Sequence, residues 1–373
     1  MRLGFDGKRV IQNFTGLGNY SRYVLNSLAK YYPENSYLVY TAKTPDPDQR
    51  SKLNNVDFRH PKTKKFAGLW RTFSIIKDLK RDKIELYHGL SNEIPAGLSK
   101  AKIPSVVTIH DLIFLRYPQY YKFIDRTIYT LKFRYACRNA DYVIAISEQT
   151  KRDIIHYFNV PEKKIHVVYQ NCNNSFREKL SAEAKDQIRS VYNLPGRYLL
   201  NVGTIEPRKN LMLIAKALKL VSDDIHLVAV GKATPYAMQV KNQLESAGLS
   251  ERVHFLTGVK SSDLPGIYQL ADIFIYPSKF EGFGIPIVEA LHSGVPVIAA
   301  TGSCLEEAGG QASYYVDPED DKQLGNYINL ILNNSDIARQ MVEQGYDYVK
   351  KFDDKSIAAD LIAVYQQAIN DYA

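Results

Sequence analysis

The residues best suited to chemistry cluster in two short stretches of the C-terminal half. The first runs Glu281-Gly282-Phe283-Gly284-Ile285-Pro286-Ile287-Val288-Glu289 and continues Ala290-Leu291-His292-Ser293-Gly294. Pro286 suits the first turn of a helix, where no backbone donor is missed, and Gly294 is a stop signal. With the apolar run Ile273–Tyr276 ahead of it, the stretch reads as strand, Gly-rich turn and helix. The N–H groups of Gly282, Phe283, Gly284 and Ile285 then lie at the positive end of a helix, where they suit phosphate or sugar hydroxyls. Glu281 precedes the helix and Glu289 lies about a turn inside it. That separation suits two parts of one elongated ligand and ill suits an acid/base pair. A capped turn with no ligand is the plainer alternative.

The second stretch is Gly203-Thr204-Ile205-Glu206-Pro207-Arg208-Lys209, after the apolar run Tyr198–Val202. Glu206 and Pro207 read as first-turn residues of a helix, so Arg208 and Lys209 sit where a strand gives way to that helix. A departing diphosphate carries two or more negative charges, and a guanidinium with an ammonium can neutralise it. Each charged hydrogen bond is worth about 1.5–3 kcal/mol. A solvated surface pair is the alternative.

Two further features lie in the N-terminal half. Gly16-Leu17-Gly18 precedes a helix expected from about Asn19 to Tyr31. It fails as a dinucleotide fingerprint, because Ser21 stands where the third glycine belongs. It still reads as a loop whose amides approach phosphate or sugar. His110-Asp111 ends the run Ser105–Ile109, at the carboxyl end of a strand, where ligands of doubly wound sheets gather. A structural hydrogen-bond partner is the other reading of that histidine. The lone D-x-D, Asp46-Pro47-Asp48, lies in a turn-like stretch, and neither HExxH nor GxSxG occurs. No metal site is expected.

These residues need a scaffold, and the rest of the chain supplies one. Twelve short β-like runs alternate with helical stretches, six in each half, which argues for parallel sheets built from βαβ units. Those not yet named are Arg2–Phe5, Ser36–Tyr40, Leu86–His88, Tyr142–Ile146, Ile165–Val168, Ile225–Val230, Val253–Leu256, Val295–Ala299 and Ser313–Val316. The 373 residues fit two domains. We expect an N-terminal domain over 1–172, a linker over 173–196 containing a polar helix near Ser181–Tyr192, and a C-terminal domain over 197–353. Asp317-Pro318 reads as a helix start. A last helix over about 354–373 carries Ile357, Leu361, Val364 and Ala368 as an apolar stripe, expected to pack back on the first domain.

Composition narrows the class. Hydrophobic residues make up 45% and charged residues 24%, which excludes a disordered or fibrous chain. Three cysteines without a CxxC pair suit a reducing cytosol. No apolar run reaches the length of a membrane span, and Met1–Asp6 reads as a strand and not a signal peptide. The net charge of +8 suits an anionic ligand, an anionic membrane surface or nucleic acid. Between Lys62 and Lys83, Leu69, Phe73, Ile76 and Leu79 mark one helix side, amid Lys62, Lys64, Lys65, Arg71, Lys77, Lys80 and Arg81. That stretch could lie on an anionic membrane. It also fits an ordinary surface helix with solvated lysines.

Taken in order, the landmarks resemble a known family. Glu281-x7-Glu289 with Gly282-Phe283-Gly284 and the following Ala-Leu-x-x-Gly-Val-Pro-Val-Ile is similar to the donor-site motif of family-4 retaining glycosyltransferases. Thr15–Tyr20, Val107–Asp111, Ala145–Glu148, Asn201–Asn210 and Val316–Pro318 extend the resemblance along almost the whole chain. It implies an α/β GT-B fold, two Rossmann-like doubly wound domains facing across a cleft. It implies a metal-independent hexosyltransferase using a nucleotide-sugar, GDP-mannose first and UDP-sugars next, as co-substrate with no other cofactor. The acceptor would be a glycan or lipid-linked precursor of surface polysaccharide, met at the cytoplasmic face of the membrane. Nucleic acid is not an expected partner. By the same resemblance His110, Arg208, Lys209 and Glu281 are catalytic. Gly16, Gly18, Gly203, Gly282, Phe283, Gly284, Ile285 and Glu289 bind the donor, with Glu289 on the ribose and Glu281 on sugar hydroxyls. Asp111 would orient the His110 imidazole.

The chain departs from the family at Thr204 and Asn19, where many members carry arginine, and at Ser303-Cys304-Leu305-Glu306, which lacks a usual proline. A GT-B epimerase, a phosphorylase, or a catalytically silent carbohydrate- or nucleotide-binding module are the other readings. Nucleic-acid binding is the reading from charge alone.

Overall fold

Strands buried on both faces are mostly apolar, and the runs named above supply such residues, with His88, Thr108 and Asn201 as buried polar exceptions. The computed structural model describes residues 1–13, 16–47, 50, 53, 55–61 and 66–372. Thr15, Asp48, Lys62, Lys64 and Lys65, named in the sequence analysis, lie outside that set.

The chain divides into two units. The first comprises Met1–Gln170 and the stretch from Phe352 onward, and the second Asn171–Lys351. Among the described residues the first unit holds β1 (Arg2–Asp6), β2 (Ser36–Tyr40), β3 (Val56–Arg59), β4 (Leu86–Gly89), β5 (Ser105–Ile109), β6 (Tyr142–Ala145) and β7 (Ile165–Val167). Their order is β3-β2-β1-β4-β5-β6-β7, and the pairings are parallel, with Phe5 opposite Val39 and His88. The second unit holds β8 (Tyr198–Val202), β9 (His226–Val230), β10 (Val253–Leu256), β11 (Ile273–Tyr276), β12 (Val297–Ala300) and β13 (Tyr314–Val316), ordered β10-β9-β8-β11-β12-β13.

Twelve of these strands fall on the expected runs; β3 does not. Val56-Asp57-Phe58-Arg59 pairs with β2 alone at the sheet edge and stays partly exposed. Edge strands keep polar residues, so the apolar signal is missing. Residues 173–196 are not a free linker. They belong to the second unit, where the helix Ala182–Tyr192 packs on Leu264–Gln269 and Tyr192 donates a 2.8 Å hydrogen bond to Asp263.

The helix Asp354–Asn370 lies in the first unit, with Ile357, Leu361, Val364 and Ala368 all buried. The Tyr23 hydroxyl donates to Asp354 at 3.1 Å, near the start of that helix. Asp317-Pro318 forms a turn, not a helix start. Asp317 accepts from the Glu319 N–H at 2.8 Å, and the helix begins at Asp321 under an Asp320 cap.

Candidate active site

Ligands of doubly wound sheets gather at the strand carboxyl ends where the strand order reverses. In the second unit that point lies between β8 and β11, adjacent strands whose successors run to opposite sides. The two chemically equipped stretches leave the sheet at this point.

Pro207-Arg208-Lys209 make one tight turn, and the regular helix begins only at Leu211. Asn210 ties the turn to its neighbours, donating to the Pro277 carbonyl at 3.2 Å and the Pro318 carbonyl at 2.7 Å. In the loop after β11 the Lys279 N–H donates to the Arg208 carbonyl at 2.9 Å. The two cations are thereby held against the acidic turn.

Arg208 Nη1 and Lys209 Nζ each lie 2.7 Å from the same oxygen, Glu281 Oε1. Both contacts are ion pairs. The guanidinium also donates to the Phe280 carbonyl and to Glu206, each at 2.6 Å. The ammonium donates to the Tyr276 hydroxyl. Burial alone would push the Glu281 carboxyl up, but Lys209 and Arg208 outweigh it and hold it at about 2. Burial would likewise lower Lys209, yet Glu281 keeps its ammonium above the ordinary range. All three groups are charged at neutral pH, and Glu206 adds a second carboxylate beside Arg208, so two cations face two anions. An anion binds here by taking the place of one of those carboxylates. An added side chain on Gly203 would start 3.4 Å from Lys209 Cε, so Gly203 borders the ammonium directly.

The acidic turn is shaped by its glycine and its anchors. Gly284 sits at φ +119°, and a Cβ there would lie 3.0 Å from the Leu305 side chain. A larger residue is therefore opposed by both backbone and packing. Phe280 and Phe283 are buried on either side of Glu281. The helix Ile285–His292 follows, its first amides without intrahelical acceptors. Within the departure at Ser303–Glu306, Cys304 Sγ donates to the Glu281 carbonyl at 3.0 Å, tethering that loop to the acidic turn.

Glu289, inside the helix, accepts from the Tyr268 hydroxyl at 2.9 Å. Burial pushes its carboxyl up to about 7, against the lowering effect of that hydrogen bond. A carboxyl raised in the folded state binds more protons there than when unfolded, so stability falls as pH rises from about 4.5 to about 7. Glu289→Gln should therefore raise the melting temperature at pH 8, by roughly 2–4 °C per kcal/mol relieved, and leave it unchanged at pH 4. Equal effects at both pH values would refute the assignment.

The first unit carries the remaining residues. His110 is buried, donates its Nε2–H to the Leu90 carbonyl at 2.9 Å and stands edge-on to Tyr20 at 4.6 Å between ring centres. Burial pushes it down to about 4, so the imidazole is neutral. Its orientation comes from Leu90, whereas Asp111, expected to orient it, accepts from the Ile113 N–H at 3.1 Å. Gly16 and Gly18 do not form a loop before a helix. They are its first turn, in the helix Gly16–Tyr31. Gly18 is required by close approach, since a Cβ would fall 1.8 Å from the Asn13 carbonyl oxygen.

The sequence assigned no site role to Tyr268 and Tyr276, and marked Glu206 only as a first-turn residue. The available signal for Tyr276 was its place as the last residue of a strand feeding the acidic turn. Tyr268 carried none, because its pairing with Glu289 depends on packing between two helices.

Residues 15–170 match the family model described as Glycosyltransferase Family 4, and residues 184–348 match Glycosyl transferases group 1. The chain is 28% identical over 293 residues to O-antigen chain mannosyltransferase B of Escherichia coli, covering 77% of this chain and 76% of that one. It is 30% identical over 248 residues to O-antigen chain mannosyltransferase RfbU of Salmonella typhimurium, covering 66% and 65% respectively. Anabaena HepE, solved in complex with UDP, shares the fold at a TM-score of 0.77 and 19% identity, over 98% of this chain and 99% of that one. With both halves matched in order and a charged turn at the switch point, the chain belongs to the GT-B glycosyltransferases that join a Glycosyltransferase Family 4 half to a glycosyl transferases group 1 half.

Proposed function

We propose that this glycosyltransferase moves mannose from GDP-mannose to a glycan or lipid-linked acceptor in surface-polysaccharide assembly, with retention of configuration and without a metal or other cofactor. The observation that carries the reading is the convergence of Arg208 and Lys209 on Glu281 at the reversal of strand order. The two relatives named as O-antigen mannosyltransferases favour mannose, and the UDP held by HepE keeps UDP-sugars as the second donor class.

In this mechanism the diphosphate enters beside Arg208 and Lys209, with Gly203 and the Gly282–Ile285 amides around it. Glu281 turns to the sugar hydroxyls, Glu289 takes the ribose, and His110 meets the transferred sugar. The acceptor oxygen bonds to the anomeric carbon as the bond from that carbon to the phosphate oxygen breaks. The acceptor proton passes to the departing diphosphate, whose charge the two cations stabilise.

A thermal-shift panel of nucleotide-sugars tests the donor. A ligand at about 100 times its Kd adds about 2.7 kcal/mol. GDP-mannose should give the largest shift together with GDP release. A shift without turnover would instead favour a silent binding module, and a UDP-sugar shift would replace the donor.

The described helices include none long and apolar enough to cross a membrane. We further propose that the first unit rests on an anionic bilayer. The expected single stripe over 69–79 is not formed, because the wide turn Trp70–Ser74 rotates the residues after it: Trp70, Ile75 and Leu79 are buried while Leu69 and Phe73 are exposed. Phe66 is 70% exposed, and on the helix Phe123–Asn139 Phe123 is 73% and Leu131 63% exposed. Glu93 bridges the two segments, taking Lys132 at 3.3 Å and also Arg71. Exposed Lys77, Lys80, Arg81, Lys122, Arg134 and Arg138 complement anionic headgroups. The chain should co-sediment with vesicles containing phosphatidylglycerol and not with pure phosphatidylcholine. Phe123→Ser with Leu131→Ser should weaken that binding tenfold or more, as burial of such side chains predicts. Equal binding to both vesicles, or self-association in their place, overturns this docking.

A further inference from the structure

A chain of buried polar side chains runs through the first unit beneath His110, and the mechanism above makes no use of it. It starts on the C-terminal helix at Tyr365, whose hydroxyl lies 2.7 Å from His88 Nδ1 on β4. His88 Nε2 lies 2.9 Å from the Thr108 hydroxyl on β5. Thr108 shares a 3.1 Å hydrogen bond with the Tyr20 hydroxyl, and the Tyr20 ring stands edge-on to His110. All five side chains are buried.

Burying this many polar groups is costly unless each is paired, and here each is. An apolar set would fill the same space more cheaply, so the network's value lies in the geometry it imposes. It joins four elements. Tyr20 sits one turn along the helix that begins with Gly16 and Gly18, and Thr108 lies two residues before His110. His88, pushed down to about 3 by burial, stays neutral, so one ring nitrogen donates and the other accepts.

We propose that Tyr365, His88, Thr108 and Tyr20 are positioning residues for sugar transfer, a relay through which the C-terminal helix fixes His110 and the first turn of the Gly16–Tyr31 helix. This rests on the reading that His110 meets the transferred sugar. The relay acts by orientation alone and transfers no proton.

The assay is hydrolysis of whichever of GDP-mannose and UDP-glucose the wild-type chain turns over, with water as the acceptor of the glycosyl group, read as release of nucleoside diphosphate. Tyr365→Phe and Thr108→Val each remove one hydroxyl and should lower kcat about tenfold, with the donor KM changed less than twofold. Thr108→Ser should restore kcat, since it returns the hydroxyl without the methyl. In a His110→Ala background Thr108→Val should cost nothing further, because interacting residues are not additive. Unchanged kcat in Tyr365→Phe and Thr108→Val, beside a loss in His110→Ala, overturns the relay and leaves the role of His110 standing. Fully additive losses with His110→Ala also overturn it, showing a merely structural network. Full activity in His110→Ala, or a wild-type chain that turns over neither sugar nucleotide, removes the reading beneath it.

Discussion

Lys209→Ala should lower turnover by about 10²–10³, the loss usual when one preorganised charge-stabilising donor is removed. The ammonium lies 2.7 Å from Glu281 Oε1 and borders Gly203, in a turn held by hydrogen bonds from Asn210 and Lys279. The variant keeps Arg208 paired with Glu281, so the fold survives and the loss falls on chemistry. Donor KM should move much less than kcat, because charge on the diphosphate grows as its bond to the sugar breaks. Lys209→Arg should restore only part of the rate, since a planar guanidinium does not fill the place of an ammonium. Wild-type turnover should persist after chelation of divalent ions. Near-normal turnover in Lys209→Ala, measured as diphosphate release, would falsify the assignment.

The second large effect is on stability. Glu281→Ala should destabilise the second unit by about 3–5 kcal/mol, because it leaves two buried cations side by side without their shared anion. Glu281 is 12% exposed, so solvent screens the remaining charges little. For a unit of this size the melting temperature should drop on the order of 10 °C. Inorganic pyrophosphate should recover much of that loss, more than it stabilises the wild type, by taking the vacated place. The same pair predicts acid sensitivity. A carboxyl held at about 2 contributes stability that is complete above its ordinary value near 4.5 and is lost as pH falls towards 2. A melting temperature unchanged in Glu281→Ala, or recovery no greater than in wild type, would show that the three charges do not act as one site.

These two predictions concern residues already conspicuous in the sequence, and for a physical reason. Strands covered on both faces are mostly apolar, so β8 and β11 announce themselves despite Asn201, and the charged residues after them must lie at their carboxyl ends. Parallel order then brings the turns after both strands to one edge of the sheet. Arg208, Lys209, Glu281 and the Gly282–Ile285 turn were therefore legible as a group. The apolar stripe of the last helix was legible for the same reason, since its spacing of three and four residues marks a face that must be covered.

Other features depend on contacts between residues far apart in the chain, and no local pattern encodes them. That Arg208 and Lys209 share one oxygen of Glu281, that Tyr268 meets Glu289, and that Leu90 rather than Asp111 orients His110 are outcomes of packing. The start of a helix at Gly16 escaped a propensity argument because Gly18 is selected by its approach to Asn13, not by its helical preference. The wide turn at Trp70–Ser74 broke the expected stripe, since one inserted residue rotates every side chain after it by about 100°. Sequence alone determined every described strand but β3, their partition into two sheets and the kinds of residue at the sheet edge, because burial and periodicity are local. Only the tertiary structure decided which polar atoms pair and which apolar side chains stay in water, because those choices depend on distances across the fold.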